Sequence, residues 1–269
     1  MKKVLGIISS QRKMANGEML IKEVLAGTGE ECQLELVRLA NLKLDICRAC
    51  YRCLRPGEKC PLNDDLYSLL NKLKAADGII LAAPDYVLGP ASVTKLFADR
   101  SIALCQHLDD LWGKPCVVIG TYGVEGWDGY TLTALNAMVQ IIGLKLKDSS
   151  MFFGALPGEA VSEAKAIARA REMGKALFGA ARSAQQGECP TCRSDIWKFP
   201  HPGEALCPIC GQKANLVIGE DGITWAYTDG GQRLAQEYLK KHFQEWLPDK
   251  VQEFIIRRKE LAAIRERYK

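Results

Sequence analysis

Two groups of cysteines hold most of the chemistry this chain could perform. "CRACYRCLRPGEKC" (47–60) sets Cys47, Cys50 and Cys53 at steps of three, with Cys60 after a gap of six. "CPTC" (189–192) and "CPIC" (207–210) make a C-x2-C-x14-C-x2-C pattern from Cys189, Cys192, Cys207 and Cys210. Thiols clustered like this, in a chain without a secretory signature, point to metal or redox chemistry rather than disulfides. In the first group, three cysteines at short steps can wrap one side of an iron–sulfur cube, and the longer gap brings a fourth thiolate to the remaining iron of a [4Fe–4S] cluster. Zinc is the competing occupant, although it more commonly takes two separated knuckles. The second group has that knuckle spacing, so four sulfurs can surround one tetrahedral ion. We expect zinc there as a structural ion, with iron as the alternative, which would add a one-electron site. His201 lies between the knuckles and reads as a loop residue, because four thiolates already complete the set.

Bulk properties narrow the setting. Of 269 residues, 48% are apolar and 25% charged, the profile of a soluble protein with a real core. "MKKVLGIISS" has only a five-residue apolar stretch, too short for a signal-peptide core, and no apolar run reaches membrane-spanning length. The expected location is cytoplasmic, with no membrane partner. Residues 231–269 carry ten Lys/Arg against six Asp/Glu, which accounts for the whole net charge of +4. So weak a basic tail makes nucleic acid an unlikely partner. Cys32, Cys105 and Cys116 sit in apolar or strand-like settings and read as small core residues.

Apolar runs at 2–10, 33–41, 78–84, 115–123 and 144–156 read as strands. Between and after them, 16–27, 63–77, 92–105, 129–143 and 159–182 show helical spacing. This alternation predicts a five-stranded parallel sheet covered on both faces, a three-layer α/β domain over residues 1–183. Residues 187–228, rich in Cys, Pro and Gly, read as a small metal ribbon. Residues 231–269 read as a helical tail, with Pro248 stopping a first helix and a second following it. Ligands of such sheets bind beyond the carboxyl ends of the strands, which singles out three loops. "SSQRKMANGEML" leads into a helix start that suits a phosphate. "APDYVLGPAS" and "GTYGVEGWDG" are Gly/Pro-rich and aromatic, as the rim and face of an isoalloxazine require. None is a dinucleotide or nucleotide-triphosphate fingerprint.

In their order, these loops and the cysteine segment between them resemble the flavodoxin-like NAD(P)H-dependent FMN reductases, and more closely their iron–sulfur flavoprotein branch. Ser10, Arg12 and Asn16 match the first motif, while Gln11 and Gly17 depart from it. Pro84, Tyr86, Asp99 and Arg100 match the second. The compact C-x2-C-x2-C motif followed by a fourth cysteine matches Cys47, Cys50, Cys53 and Cys60, with "PLNDDL" as its continuation. The resemblance covers about residues 1–180. It implies a flavodoxin-like fold, with FMN held by Ser10, Arg12, Asn16, Gly17, Pro84, Tyr86, Val87, Leu88, Gly89, Thr121, Tyr122, Gly123 and Trp127. It also implies a [4Fe–4S] cluster near FMN, often that of a neighbouring subunit in a homodimer or homotetramer. NAD(P)H or a ferredoxin, or another small redox partner, would be the electron donor. No side chain is needed as general acid or base, so no catalytic residue is expected.

Overall fold

The computed structural model describes residues 1–219 and 222–269. Five parallel strands form the main sheet: β1 (Lys2–Ile8), β2 (Cys32–Arg38), β3 (Gly78–Tyr86), β5 (Pro115–Tyr122) and β6 (Lys145–Phe153). Their order is β2-β1-β3-β5-β6, the flavodoxin-type winding, with the two-residue β4 (Gly89–Pro90) folded back antiparallel on the end of β3. Burial follows position. The central strands β1, β3 and β5 are nearly continuously buried, whereas edge strand β2 alternates.

Helices α1 (Asn16–Ala26) and α6 (Ala164–Phe178) cover one face over a core that includes Ile8, Leu20, Ile80 and Leu177. On the other face lie α2 (Leu66–Ala75), α3 (Ser92–Arg100), α4 (Leu108–Leu111) and α5 (Thr131–Ile141), over Leu69, Phe97, Leu104 and Leu135. All five predicted helices are shorter than their sequence periodicity implies, α2, α5 and α6 at both ends. The 92–105 segment leaves α-helical geometry after Arg100 and continues as a 3-10 turn, and the last helix of the domain ends at Gly179 rather than 182. Cys105 and Cys116 lie fully in the core, while Cys32 is half-buried at the start of β2.

The ribbon is a separate antiparallel sheet, β7 (Glu204–Leu206), β8 (Lys213–Gly219) and β9 (Gly222–Tyr227). It is docked beside β6 and α5. Asn136 and Gln140 of α5 donate to the carbonyls of Arg193 and Cys192 at 3.3 and 3.0 Å, and Thr133 donates to Asp195. The tail does not break at Pro248 as predicted. After α7 (Gln236–Lys240), a π turn over Lys241–Trp246 runs directly into α8 (Leu247–Ile256), and α9 (Arg258–Glu266) follows. Proline sits in the first turn of α8, where its missing N–H and fixed φ are tolerated. Leu239, Phe243 and Leu247 pack inward, whereas Phe254, Ile255 and Ile256 of the same tail face solvent. Among the described residues, no helix is long and apolar enough to cross a membrane.

Candidate functional site

At the carboxyl ends of β1, β3, β5 and β6 the loops enclose a cleft of about 390 Å³, within the range of small-molecule sites. Twelve of the thirteen predicted cofactor residues line it, and Gly89 does not. From the first loop come Ser10, Arg12, Asn16 and Gly17, where the N-terminus of α1 opens with unpaired N–H groups and its positive end toward the cleft. The Arg12 guanidinium makes no hydrogen bond or ion pair with any described residue; its backbone carbonyl accepts from Arg38 at 3.0 Å. Gly17 stands where the family motif has a hydroxyl. A Cβ there would come within 3.1 Å of the Ala82 Cβ, so glycine lets the helix start press onto β3.

Asn16 also ties two loops of the cleft together. Its amide donates to the Gly154 carbonyl at 2.8 Å, and its oxygen accepts from the Gly158 N–H at 2.8 Å. The side chain therefore braces the first loop against the loop after β6 at the wall of the cleft. That later loop supplies Gly154, Ala155 and Pro157 to the cleft wall, residues the sequence reading missed. The Gly and Pro after "SSMFF" were the available signal. Beside Asn16, burial would raise the Glu18 carboxyl, but the Met14 N–H, Arg38 and Lys22 outweigh it and hold the group below its usual range.

The second wall is a hairpin. Tyr86 pairs with Gly89, and Val87 and Leu88 between them take φ of 56° and 65°. Two successive left-handed residues are what a type I′ hairpin turn demands, and for a β-branched residue such as Val87 that conformation is strained. Contacts from the base of α5 hold it: the Tyr130 N–H donates to the Leu88 carbonyl at 2.9 Å, and the Thr131 hydroxyl to Asp85. Gly89 lies beneath the Tyr130 ring, where a Cβ would meet the phenol oxygen at 2.7 Å. It packs under that ring and, among the described residues, lies outside the cleft lining. The third wall, Thr121, Tyr122 and Gly123 with Trp127, completes the mouth, and Tyr86 and Trp127 are mostly exposed on its rim. A helix N-terminus with a free guanidinium, and an aromatic-edged slot beside it, fit the phosphate and planar ring of FMN. When bound, these groups of the chain would hold it.

The four loop cysteines share one small cavity of about 20 Å³, together with Arg100, Ile102 and Ala103. Tyr51 and Ala49, on either side of Cys50, take left-handed φ of 54° and 49°, which winds the segment around the cavity. Cys53 is buried, Cys47 and Cys60 half-buried, and Cys50 exposed. Burial first, and then the neighbouring Cys60, Cys50 and Cys47 sulfurs, push the Cys53 thiol up to about 11. A cationic centre bound among these sulfurs would displace the Cys53 proton and favour its thiolate.

In the ribbon, the four sulfurs all lie within 4.8 Å of one another and are buried. Cys189 and Cys210 approach at 3.4 Å, Cys192 and Cys207 at 3.5 Å. Crowding among the four sulfurs holds the Cys189 and Cys207 thiols below their usual range, with Cys192 the largest influence on Cys189 and Cys189 the largest on Cys207. This is a preformed tetrahedral site for one ion. Among the described residues, the loop cysteines form no such close group. His201 is not part of this gathered group.

A family model for NADPH-dependent FMN reductases matches residues 2–153. An iron–sulfur flavoprotein of Methanocaldococcus jannaschii is 41% identical over 100 residues, 37% of this chain and 51% of that protein, so the match spans about half its length. An iron–sulfur flavoprotein of Methanosarcina thermophila is 31% identical over 157 residues, covering 57% of this chain and 81% of the relative. A solved flavone reductase superposes with a TM-score of 0.72 at 20% identity over 98% of this chain and 97% of its own, so the fold extends through ribbon and tail. With a flavodoxin-type sheet, an FMN-shaped cleft and a four-cysteine loop in one chain, the protein belongs to the NADPH-dependent FMN reductase family and, within it, to the iron–sulfur flavoproteins.

Proposed function

We propose that this chain is a flavin-dependent oxidoreductase that carries electrons between NAD(P)H or a ferredoxin and one-electron acceptors, using FMN in the sheet-end cleft and a [4Fe–4S] cluster in the 47–60 loop. Bound there, the flavin would supply exchange of two electrons with one partner and single electrons with another, and the cluster a one-electron store. The observation that supports the reading is the convergence of four loops on one cleft, together with a separate cavity lined by Cys47, Cys50, Cys53 and Cys60. Arg12 and the first turn of α1 bind and orient the phosphate, and the Val87–Leu88 hairpin faces the ring. Asn16 holds the two flanking loops in register. The ribbon takes zinc as a structural ion, with iron as its alternative. The outward Phe254, Ile255 and Ile256 support assembly into a homodimer or homotetramer, and the charge and composition support a cytoplasmic setting.

Anaerobic purification with flavin, iron, sulfide and zinc analysis tests this. Flavin with acid-labile sulfide and iron in equal amounts is expected, plus one zinc per chain. Flavin with zinc and no sulfide would reject the cluster and leave a plain flavin reductase, the closest alternative. Absence of both flavin and iron would reject the whole reading. A sedimentation run showing only monomer would remove the assembly.

A further inference from the structure

The last residue of α3, Arg100, is the largest fully buried side chain in the protein, 1% exposed, and it lines the cysteine cavity. Both terminal nitrogens of its guanidinium are engaged. Nη1 donates to the Asp45 carbonyl at 2.7 Å and to Asp64, and Nη2 donates to Asp64 Oδ1 at 3.2 Å and to Cys60 Sγ at 3.5 Å. Asp64, 0% exposed, is itself fixed by the N–H groups of Asp45 at 3.0 Å and Leu66 at 3.3 Å. The carboxylate thus sits behind the guanidinium, and the positive end of a buried, net-neutral pair points at a cysteine sulfur. Burying such a pair is costly, and a well-packed apolar pair would serve stability as well. The arrangement calls for a reason beyond holding the loop.

We propose that Arg100 is a positioning residue for the metal centre of the cysteine loop, orienting Cys60 and setting the centre's reduction potential through its hydrogen bond to that sulfur. This rests on the loop holding an iron–sulfur cluster. Reduction adds one negative charge, spread largely onto the sulfurs. A charged N–H donor held against one of them in a water-poor cavity stabilises the reduced form, so the potential rises. Asp64 acts behind it, keeping the guanidinium charged and aimed. Burial alone would lower the arginine's proton affinity, and the Asp64 carboxylate more than offsets that.

The test compares wild type, R100Q and R100K, each purified without oxygen. Iron and sulfide are measured first, and then cluster and flavin are titrated together, by electron paramagnetic resonance and by visible absorbance. Wild type without iron and sulfide would remove the cluster reading itself, and the inference with it. Given a loaded cluster, R100Q is expected to keep its iron and shift toward the oxidised form. The expected change is about tenfold in the reduced-to-oxidised ratio at fixed ambient potential, ~59 mV for one electron. The flavin midpoint stays put, and R100K recovers part of the shift because it retains charge and a donor. A fully loaded R100Q with the wild-type cluster potential overturns the proposal. Should R100Q lose its cluster, R100K decides. A loaded R100K with a lowered potential supports the proposal, whereas one with an unchanged potential, or an empty one, overturns it and leaves Arg100 a fold-holding residue.

Discussion

The two cysteine groups solve different problems with the same ligand. In the ribbon, both knuckles repeat one backbone scheme. The fourth residue after the first cysteine donates its N–H back to that cysteine's carbonyl, Arg193 to Cys189 at 2.8 Å and Gly211 to Cys207 at 3.0 Å. Both of these residues take left-handed φ, 59° and 83°. The two symmetric turns drive four buried sulfurs into contact, close to the roughly 3.8 Å separation that zinc–sulfur bonds of ~2.3 Å impose on a tetrahedron. The loop at 47–60 has no such scheme. Its sulfurs range from buried to exposed and line a cavity without meeting. One group is gathered tightly enough to surround a single ion, and the other is spread around a small cavity of about 20 Å³.

Each site also hangs on a buried aspartate, and here the difference sharpens. Asp64 holds a single arginine that reaches a cysteine sulfur. Asp148, on β6, binds Arg169 of α6 through two bonds of 2.7 Å and Arg182 at 2.7 Å, with Arg193 of the knuckle 3.7 Å away. No sulfur of the ribbon receives a hydrogen bond from these arginines among the described residues. The first anchor reaches a cysteine of the 47–60 loop; the second joins the ribbon to the sheet.

The largest predicted effect separates the two centres. Cys207→Ala should abolish metal binding by the ribbon and unfold β7–β9, because structural zinc contributes on the order of 10 kcal/mol to such small modules. Flavin and loop iron should remain. The reciprocal Cys53→Ala should lose the loop iron and sulfide while the ribbon metal stays. Metal analysis with hydrogen exchange over residues 204–227 reads both, and a variant that empties both sites breaks the comparison. Next in size is Asp64→Ala, which leaves the Arg100 charge buried and unpaired. It should cost about 3–5 kcal/mol in urea unfolding of the 1–183 domain. An effect below ~1 kcal/mol would mean that water reaches this arginine after all.

A smaller prediction concerns Arg193, which occupies a position where its twin knuckle has Gly211. Holding a non-glycine residue left-handed costs on the order of 1 kcal/mol. Arg193→Gly relieves that strain but removes the guanidinium that donates to the Arg182 carbonyl and faces Asp148. The ribbon should keep its metal affinity and lose protection at its junction with β6. Tighter docking in the glycine variant would show that the arginine is merely tolerated.

Much of this was readable in the chain. Continuous apolar runs gave β1, β3 and β5, because a strand buried on both faces has no choice of residue. The loops after them carried the cleft, and the spacing of the second cysteine group carried its geometry. What stayed hidden depended on distant partners. β6 was blurred because Asp148 and Ser149 interrupt its apolar run, and they are acceptable there only because Arg169, Arg182 and Asn136 arrive from other elements. The motif marks Asn16 as a cofactor residue but says nothing of its hydrogen-bond partners in the protein, which lie 138 and 142 residues away. Gly89 looked like part of a ligand loop, whereas its reason is the Tyr130 ring. Arg100 and Asp64 were visible as motif residues, but a sequence does not say that a guanidinium will reach a sulfur 40 positions earlier.

The smallest effect is a pH dependence, and it tests whether the ribbon's anchor is electrostatic. Burial would raise the Asp148 carboxyl, but Arg169 and then Arg182 outweigh it, so its folded value lies below the usual range. A depressed value means the unfolded chain takes up the proton first as pH falls. The carboxylate's contribution is therefore fully present above the free-aspartate value of ~3.9 and disappears as pH drops through the lower folded value. Asp148→Asn keeps the shape and removes the charge. Acid also strips metal from the thiolates, but it does so in both proteins, so the difference between them isolates the carboxylate. That difference in unfolding midpoint should be constant from neutral pH down to about 5 and shrink below the free-aspartate range. A difference already vanishing near pH 6 would place the docking in the Thr133, Asn136 and Gln140 hydrogen bonds instead, and the two anchors would no longer be alike.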